Sequence, residues 1–278
     1  MNKLLIFLIS LALFSCSDLD DSMIFKQFQK FIKKYSKKYN SINEFIARYT
    51  VFRNNLINSD KTSFQTDITK FSDLTKQEFK KHYLNLNYDA MAMVNFNPSY
   101  AKKSNDAPTS LDWRNLNRVT SVKDQGSCGA AYVFSTVGNL EGLYASHYGI
   151  LIDLSNSVII DCDTKDSGCN GGLMQYAFEW LKDNGIMTEA DYPYTGYKGT
   201  CKIDLDKCVK MTITGFQKLG SSSSVFSCVD EEEMKEFLYS VGPLSIALNA
   251  NPLQTYVSGI IDLNSVKCHQ VVLIMLLF

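Results

Sequence analysis

Only three histidines are present in 278 residues, and neither sign of charge is in excess: 28 Lys and Arg stand against 29 Asp and Glu, a formal net charge of −1. A chain so balanced carries no electrostatic footprint for a nucleic acid or an anionic membrane surface, and neither partner is expected. No low-complexity tract and no repeat at a solenoid period occurs, which excludes a repeat array. Long hydrophobic runs are missing too. Leu4 to Phe14 is apolar but falls short of the ~20 residues that span a bilayer. It follows Met1-Asn2-Lys3 and precedes the small residues Ser15 and Ser17. A basic start, an apolar core and small residues describe a secretory signal peptide over 1–17. A lipoprotein site at Leu13-Phe14-Ser15-Cys16 ranks below it, because Phe14 is bulky.

Metal ligands are scarce. Eight cysteines include Cys16 in the leader, which leaves seven; in an oxidising compartment these imply disulfides and at least one unpaired thiol. The run Cys162-Asp163-Thr164-Lys165-Asp166-Ser167-Gly168-Cys169 invites a metal reading. No second cysteine pair stands at ligand spacing, so no metal and no cofactor is expected. The length allows one large domain or two ordinary ones with a sizeable core.

What the sequence does contain is organised around Gln125-Gly126-Ser127-Cys128-Gly129-Ala130-Ala131-Tyr132-Val133-Phe134-Ser135. This reads as a glycine-bearing turn that opens a helix, with Val133, Val137, Leu140 and Tyr144 at helical spacing along one apolar stripe. The start of such a helix presents unpaired N–H groups and the positive end of the dipole. A cysteine there would attack as a thiolate. The stretch resembles the papain-like cysteine peptidases, whose motif runs Gln-Gly-x-Cys-Gly-Ser-Cys-Trp-(Ala/Ser)-Phe-Ser. The family's nucleophilic second cysteine falls on Ala131, and a methyl group cannot attack a carbonyl.

The resemblance extends along the chain. From Asp18 to Tyr100 the sequence is helical and lysine-rich. Phe25, Phe28, Ile32 and Tyr35 share a face of a first helix. Ser41 and Glu44 cap a second with Ile42, Phe45, Tyr49, Phe52 and Leu56 in a stripe, and Thr75 and Glu78 cap a third flanked by Leu74 and Phe79. Glu44, Arg48, Phe52 and Asn55 match the first four positions of the family's interspersed propeptide motif, while Ser59 and Ser63 do not match its last two. Phe71-Ser72-Asp73-Leu74 resembles the propeptide segment that follows. By itself, Glu44 with Arg48 is an ordinary i,i+4 pair on a solvated face. Asn85 to Asp106 reads as a linker, and Ala107 to Arg114 resembles the start of a mature enzyme.

Further on, Leu154-Ser155 opens a helix ending at Asp161-Cys162. The family's usual Glu-Gln is Asn156-Ser157 here. Gly168-Cys169-Asn170-Gly171-Gly172-Leu173-Met174 resembles the cathepsin L branch, where the glycine strip binds substrate through its main chain; this implies substrate-binding roles for Gly171, Gly172, Leu173 and Met174. The resemblance also implies Cys128–Cys169 and Cys162–Cys201 disulfides, with Cys208, Cys228 and Cys268 unassigned. Asp230 and Glu233 cap another helix, Gly242-Pro243 ends it, and Leu244, Ile246 and Leu248 alternate as a strand.

The implied fold is α+β: a papain-like two-lobed domain, one lobe helical and one barrel-like, behind a helical propeptide. Signal peptide 1–17, inhibitory propeptide 18–106 and peptidase domain 107–278 are the expected divisions. Gln125 matches the oxyanion-hole residue and His269 the catalytic histidine. The family's Gly-Tyr-Gly turn and orienting asparagine have no counterpart after Ile274, so the barrel-like lobe is expected to be incomplete. Three functions compete: an inert homologue that binds peptides or a partner protease, an active cysteine endopeptidase whose sequence is altered or incomplete at Ala131 and the terminus, and the non-functional product of a decaying gene. The expected partners are peptide or protein ligands and the chain's own propeptide. A monomer is expected, in the secretory pathway and then in a lysosome, a vacuole or the extracellular space.

Overall fold

A computed structural model describes residues 18–58, 64–85, 106–219, 231–261 and 272–277. The signal-peptide segment, His269, Cys228, Cys268 and Asp230 lie outside the described residues. The chain forms two compact units, one from Met1–Phe79 with Pro252–Val266 and one from Lys80–Asn251 with Lys267–Phe278.

In the first unit, α1 (Asp18–Lys34) packs against α2 (Ile42–Ile57). Ile24, Phe28, Phe31, Phe45, Tyr49 and Phe52 are buried together, with Phe25, Ile32, Tyr35 and Leu56 at the margin. The buried face of α1 therefore runs through Ile24, Phe28 and Phe31, one step round from the expected stripe. Eight aromatic rings pair in and around this small core, Phe28 meeting Phe52 at 5.1 Å and Phe31 meeting Phe52 at 5.0 Å. Ser41 caps α2 by accepting the Glu44 N–H at 3.1 Å, and the Glu44 carboxylate accepts the Asn40 N–H at 2.6 Å.

Arg48 does not stay on its own helix. It donates to the Glu78 carboxylate at 2.9 Å and to Asp73 O at 3.1 Å, and this guanidinium holds the Glu78 carboxyl well below the usual range. Glu78 also closes a capping box with Thr75 at the start of α3 (Lys76–Tyr83). Asp73 is buried and takes Lys37 Nζ at 2.8 Å and the Tyr39 hydroxyl at 2.9 Å. Strand β1 (Gln65–Thr66) pairs antiparallel with β4 (Tyr256–Ser258). Gln254 Nε2 donates to Leu74 O at 2.7 Å, and Thr69 Oγ1 donates back to Gln254 O at 2.5 Å.

The second unit is built on α4 (Ala131–Tyr148), α5 (Asn156–Cys162) and α6 (Met174–Asn184). All four residues of the expected α4 stripe are buried, but burial goes well beyond a stripe. Tyr132, Thr136, Asn139, Glu141, Gly142 and Ala145 are buried as well, so α4 is a central helix enclosed on most sides. Its one buried carboxylate, Glu141, accepts from Thr120 Oγ1 at 2.6 Å, the Leu154 N–H at 2.9 Å and Lys123 Nζ at 3.2 Å. Ser155 caps α5 through the Val158 N–H.

After β2 (Gly215–Lys218) come α7 (Glu231–Ser240), β3 (Ser245–Ala247) and β5 (Val272–Leu277), and the sheet order is β2-β5-β3, antiparallel throughout. The strand expected from Leu244, Ile246 and Leu248 is present, with its faces reversed: Ser245 and Ala247 point inward, while Ile246 is 41 % exposed. The reason is α4. Ser135 Oγ meets Ser245 Oγ at 2.7 Å and accepts the Ile246 N–H at 3.2 Å, an approach that leaves room only for small side chains.

Candidate functional site

The site is assembled at the start of α4. Gly126 takes φ +61°, a left-handed conformation that favours glycine, and Cys128 N–H closes the turn on Gln125 O at 3.3 Å. The Tyr194 hydroxyl donates to the same oxygen at 2.7 Å and fixes where Gln125 stands. Cys128 is bonded to Cys169 and Cys162 to Cys201, the two pairs that the resemblance implies. Gly129 N–H donates to Cys169 O at 2.8 Å, so the turn and the glycine strip are tied by a covalent and a polar link side by side. Cys208 is a free, half-buried thiol, pushed up by burial and by Asp204.

Ala131 is the first residue of α4 and is exposed. No side chain at Ala130 caps the helix, so the positive end of the dipole is directed past the Ala131 methyl group. In the glycine strip, Gly171 and Gly172 are buried, and Leu173 and Met174 lead into α6 with 0 % and 1 % exposure. Asn85 fills the space between Gly129 and Gly171. A Cβ at Gly129 would stand 2.1 Å from Asn85 Nδ2, and one at Gly171 would stand 2.1 Å from Asn85 O. Both walls must be glycine for that residue to be seated there. Its place was not legible in the sequence, because Asn85 opens a polar stretch without periodicity.

Beneath the strip lie two buried acids, Asp163 and Asp166. Asp166 Oδ1 accepts the Leu173 N–H at 2.9 Å, and Asp163 Oδ1 accepts the Lys165 N–H at 2.8 Å. Burial, and then the neighbouring Asp163, push the Asp166 carboxyl up to about 8. Tyr132, whose hydroxyl donates to Gly168 O at 3.3 Å, is likewise pushed up by burial and by both carboxyls. The sequence signal was the pair of acids between Cys162 and Cys169, which had only raised the question of a metal.

Comparison with known proteins agrees with this geometry. A sequence profile of papain family cysteine proteases matches residues 107–275, and one of the cathepsin propeptide inhibitor domain matches 28–79. Cysteine proteinase 15A of Pisum sativum is 41 % identical over 256 residues, which cover 84 % of this chain and 66 % of that protein. The chain thus spans about two thirds of that plant relative's length. The viral cathepsin of Choristoneura fumiferana nuclear polyhedrosis virus is 35 % identical over 268 residues, covering 94 % and 80 %. Among solved structures, digestive procathepsin L2 proteinase from Tenebrio molitor larval midgut superposes with a TM-score of 0.76 at 26 % identity, covering 90 % of this chain and 84 % of that one. The α+β architecture is that of these neighbours. Among the described residues, no helix is long and apolar enough to cross a membrane.

Proposed function

The chain belongs to the papain family of cysteine proteases, with a cathepsin propeptide inhibitor domain ahead of its protease domain, and on that premise we propose that it is a cathepsin L-like homologue that holds peptide chain without hydrolysing it. One observation carries this reading: the position of the family's nucleophile, at the head of α4, is Ala131. Acyl transfer begins with a thiolate attacking the carbonyl carbon and passes through an acyl-enzyme. A methyl group has no lone pair to form that bond. Gln125 keeps the oxyanion role by its position in the motif and His269 the proton-shuttle role, but neither supplies the nucleophile. Ser127 and Cys128 lie before the helix, and Cys128 is already bonded to Cys169.

Peptide binding is supported by the cleft. Gly171 and Gly172 continue into Leu173 and Met174 as the substrate strip, and Asn85 already seats its main-chain oxygen against Gly171 and its side-chain amide against Gly129. The chain's own propeptide is the first occupant. With no nucleophile of its own, the protein is released from its propeptide, near Asp106, only by another protease. Signal peptide 1–17, propeptide 18–106 and protease domain 107–278 complete the organisation. The two disulfides support the secretory pathway, ending in a lysosome, a vacuole or the extracellular space. The protein is read as a monomer.

Loss of the nucleophile from a comparable triad lowers turnover roughly a millionfold. The purified protein is therefore expected to show no hydrolysis of a fluorogenic peptide with a bulky apolar residue two positions before the cut. Turnover that a thiol-directed inhibitor abolishes would overturn the reading.

A further inference from the structure

We propose that Asp163 and Asp166 form a carboxyl pair bridged by a single proton, and that this pair positions the Gly171–Leu173 strip so that the cleft keeps its shape in acid and loosens as the pH rises. Each carboxyl uses one oxygen on the backbone: Asp163 Oδ1 on Lys165 N–H and Asp166 Oδ1 on Leu173 N–H. The other oxygen of each, Oδ2 in both cases, is buried without a hydrogen-bond partner among the described residues. Asp163 is 2 % exposed and Asp166 8 %. Asp163 is close enough to Asp166 to push its carboxyl up, by its charge and by hydrogen bonding. Ionised carboxylates only accept, so two of them cannot bond to each other; one proton shared between them satisfies both orphaned oxygens.

The pair touches the strip directly. A Cβ at Gly172 would stand 2.5 Å from Asp166 Oδ1 and 2.7 Å from Tyr132 Cε2, so the strip lies flat on the carboxyl and the phenol. Ser167 N–H to Gly171 O, at 3.1 Å, closes the loop around them. The groups facing the pair are Tyr132 from α4, which brings no positive charge, and Lys165 from the loop. Lys165 is half outside, paired with Glu179 of α6 and lying over the Tyr176 ring at 4.1 Å, so it compensates poorly. When the shared proton leaves, two buried like charges remain.

The sign follows from the raised Asp166. The closed loop binds the proton more tightly than an open, solvated loop does, so closure is favoured most below the ordinary carboxylate range and weakens as pH rises towards about 8. That a loosened strip binds peptide less well rests on the proposed peptide-binding cleft; the pair itself does not.

The experiment is amide exchange of the full chain, followed over residues 167–175 from about pH 5 to about pH 8, for the wild type, Asp166→Asn and Asp163→Asn. An asparagine amide reproduces the one-proton arrangement, donating to the remaining carboxylate. Comparing proteins at equal pH cancels the pH dependence of exchange itself. The wild-type rate divided by the Asp166→Asn rate should rise at least ~10-fold across this range, since each unit of pKa displacement is worth about tenfold. Asp163→Asn should be as flat as Asp166→Asn. A ratio that stays constant, or both variants open at every pH, would overturn the proposal. In the wild type alone, the infrared difference between about pH 6 and about pH 9 should show loss of a protonated-carboxyl band, and its absence would overturn the pairing even if the variants fold poorly. No peptide ligand enters these measurements, so a failure of peptide binding and a failure of the pair are read separately.

Discussion

Within the second unit, the helices around α4 and the sheet β2-β5-β3 are held by different means. The helical region encloses Leu140, Leu154, Ile159, Ile160, Phe178 and Leu181 at 0–1 % exposure and carries both disulfides. The sheet has a three-residue edge strand, β3, that turns Ile246 outward and faces α4 with a serine and an alanine. Phe216 of β2, stacked on Phe178 at 5.5 Å, joins the two regions. Helices can bury wide stripes and be stapled locally. A short strand depends on its neighbours for both hydrogen bonds and cover, so its closure is only as firm as the ladder beside it.

That contrast can be broken in three ways. The largest effect should be in amide exchange. α4, α5 and α6 should exchange only through global opening, whose free energy in a domain is about 5–15 kcal/mol, while β3 and β5 should open through local fluctuations several kcal/mol cheaper. Uniform slow exchange over both regions would show that the sheet is as firmly closed as the helices. Next in size, Phe178→Ala removes the ring that both regions share and should cost about 3–5 kcal/mol, measured by denaturant unfolding. A cost near that of a surface change would mean that the regions do not share a core. Smallest is Ile246→Ala: at 41 % exposure it should shift stability by no more than about 0.5 kcal/mol, despite deleting an isoleucine from a strand. A loss of several kcal/mol would show that this face is covered after all.

The inversion of β3 also shows where sequence patterns stop. Alternation at Leu244, Ile246 and Leu248 is a sound strand signal, but period two marks two faces without saying which is inside. The choice was made by Ser135 on α4, about a hundred positions earlier, whose hydroxyl pairs with Ser245. Arg48 teaches the same lesson in the first unit. Its spacing from Glu44 suggested a local pair, yet its partner is Glu78, thirty residues on, which lowers the Glu78 carboxyl and locks the third cap.

By itself the sequence determined what depends on residues within a turn or two of each other. The capping boxes at Ser41 and Thr75, the Ser155 cap, the glycine turn at Gly126 and the alanine at the head of α4 were all readable, because a cap needs only the side chain and N–H groups three residues away. Tertiary structure alone decided the rest. It placed Gln65–Thr66 beside Tyr256–Ser258, seated Asn85 between Gly129 and Gly171, and brought two acids under the strip, each with an oxygen that meets no donor among the described residues. These arrangements join groups whose energies are set by burial and by partners far away in the chain. Burial exists only once the chain has closed on itself, and so does the reason for a carboxyl to keep its proton.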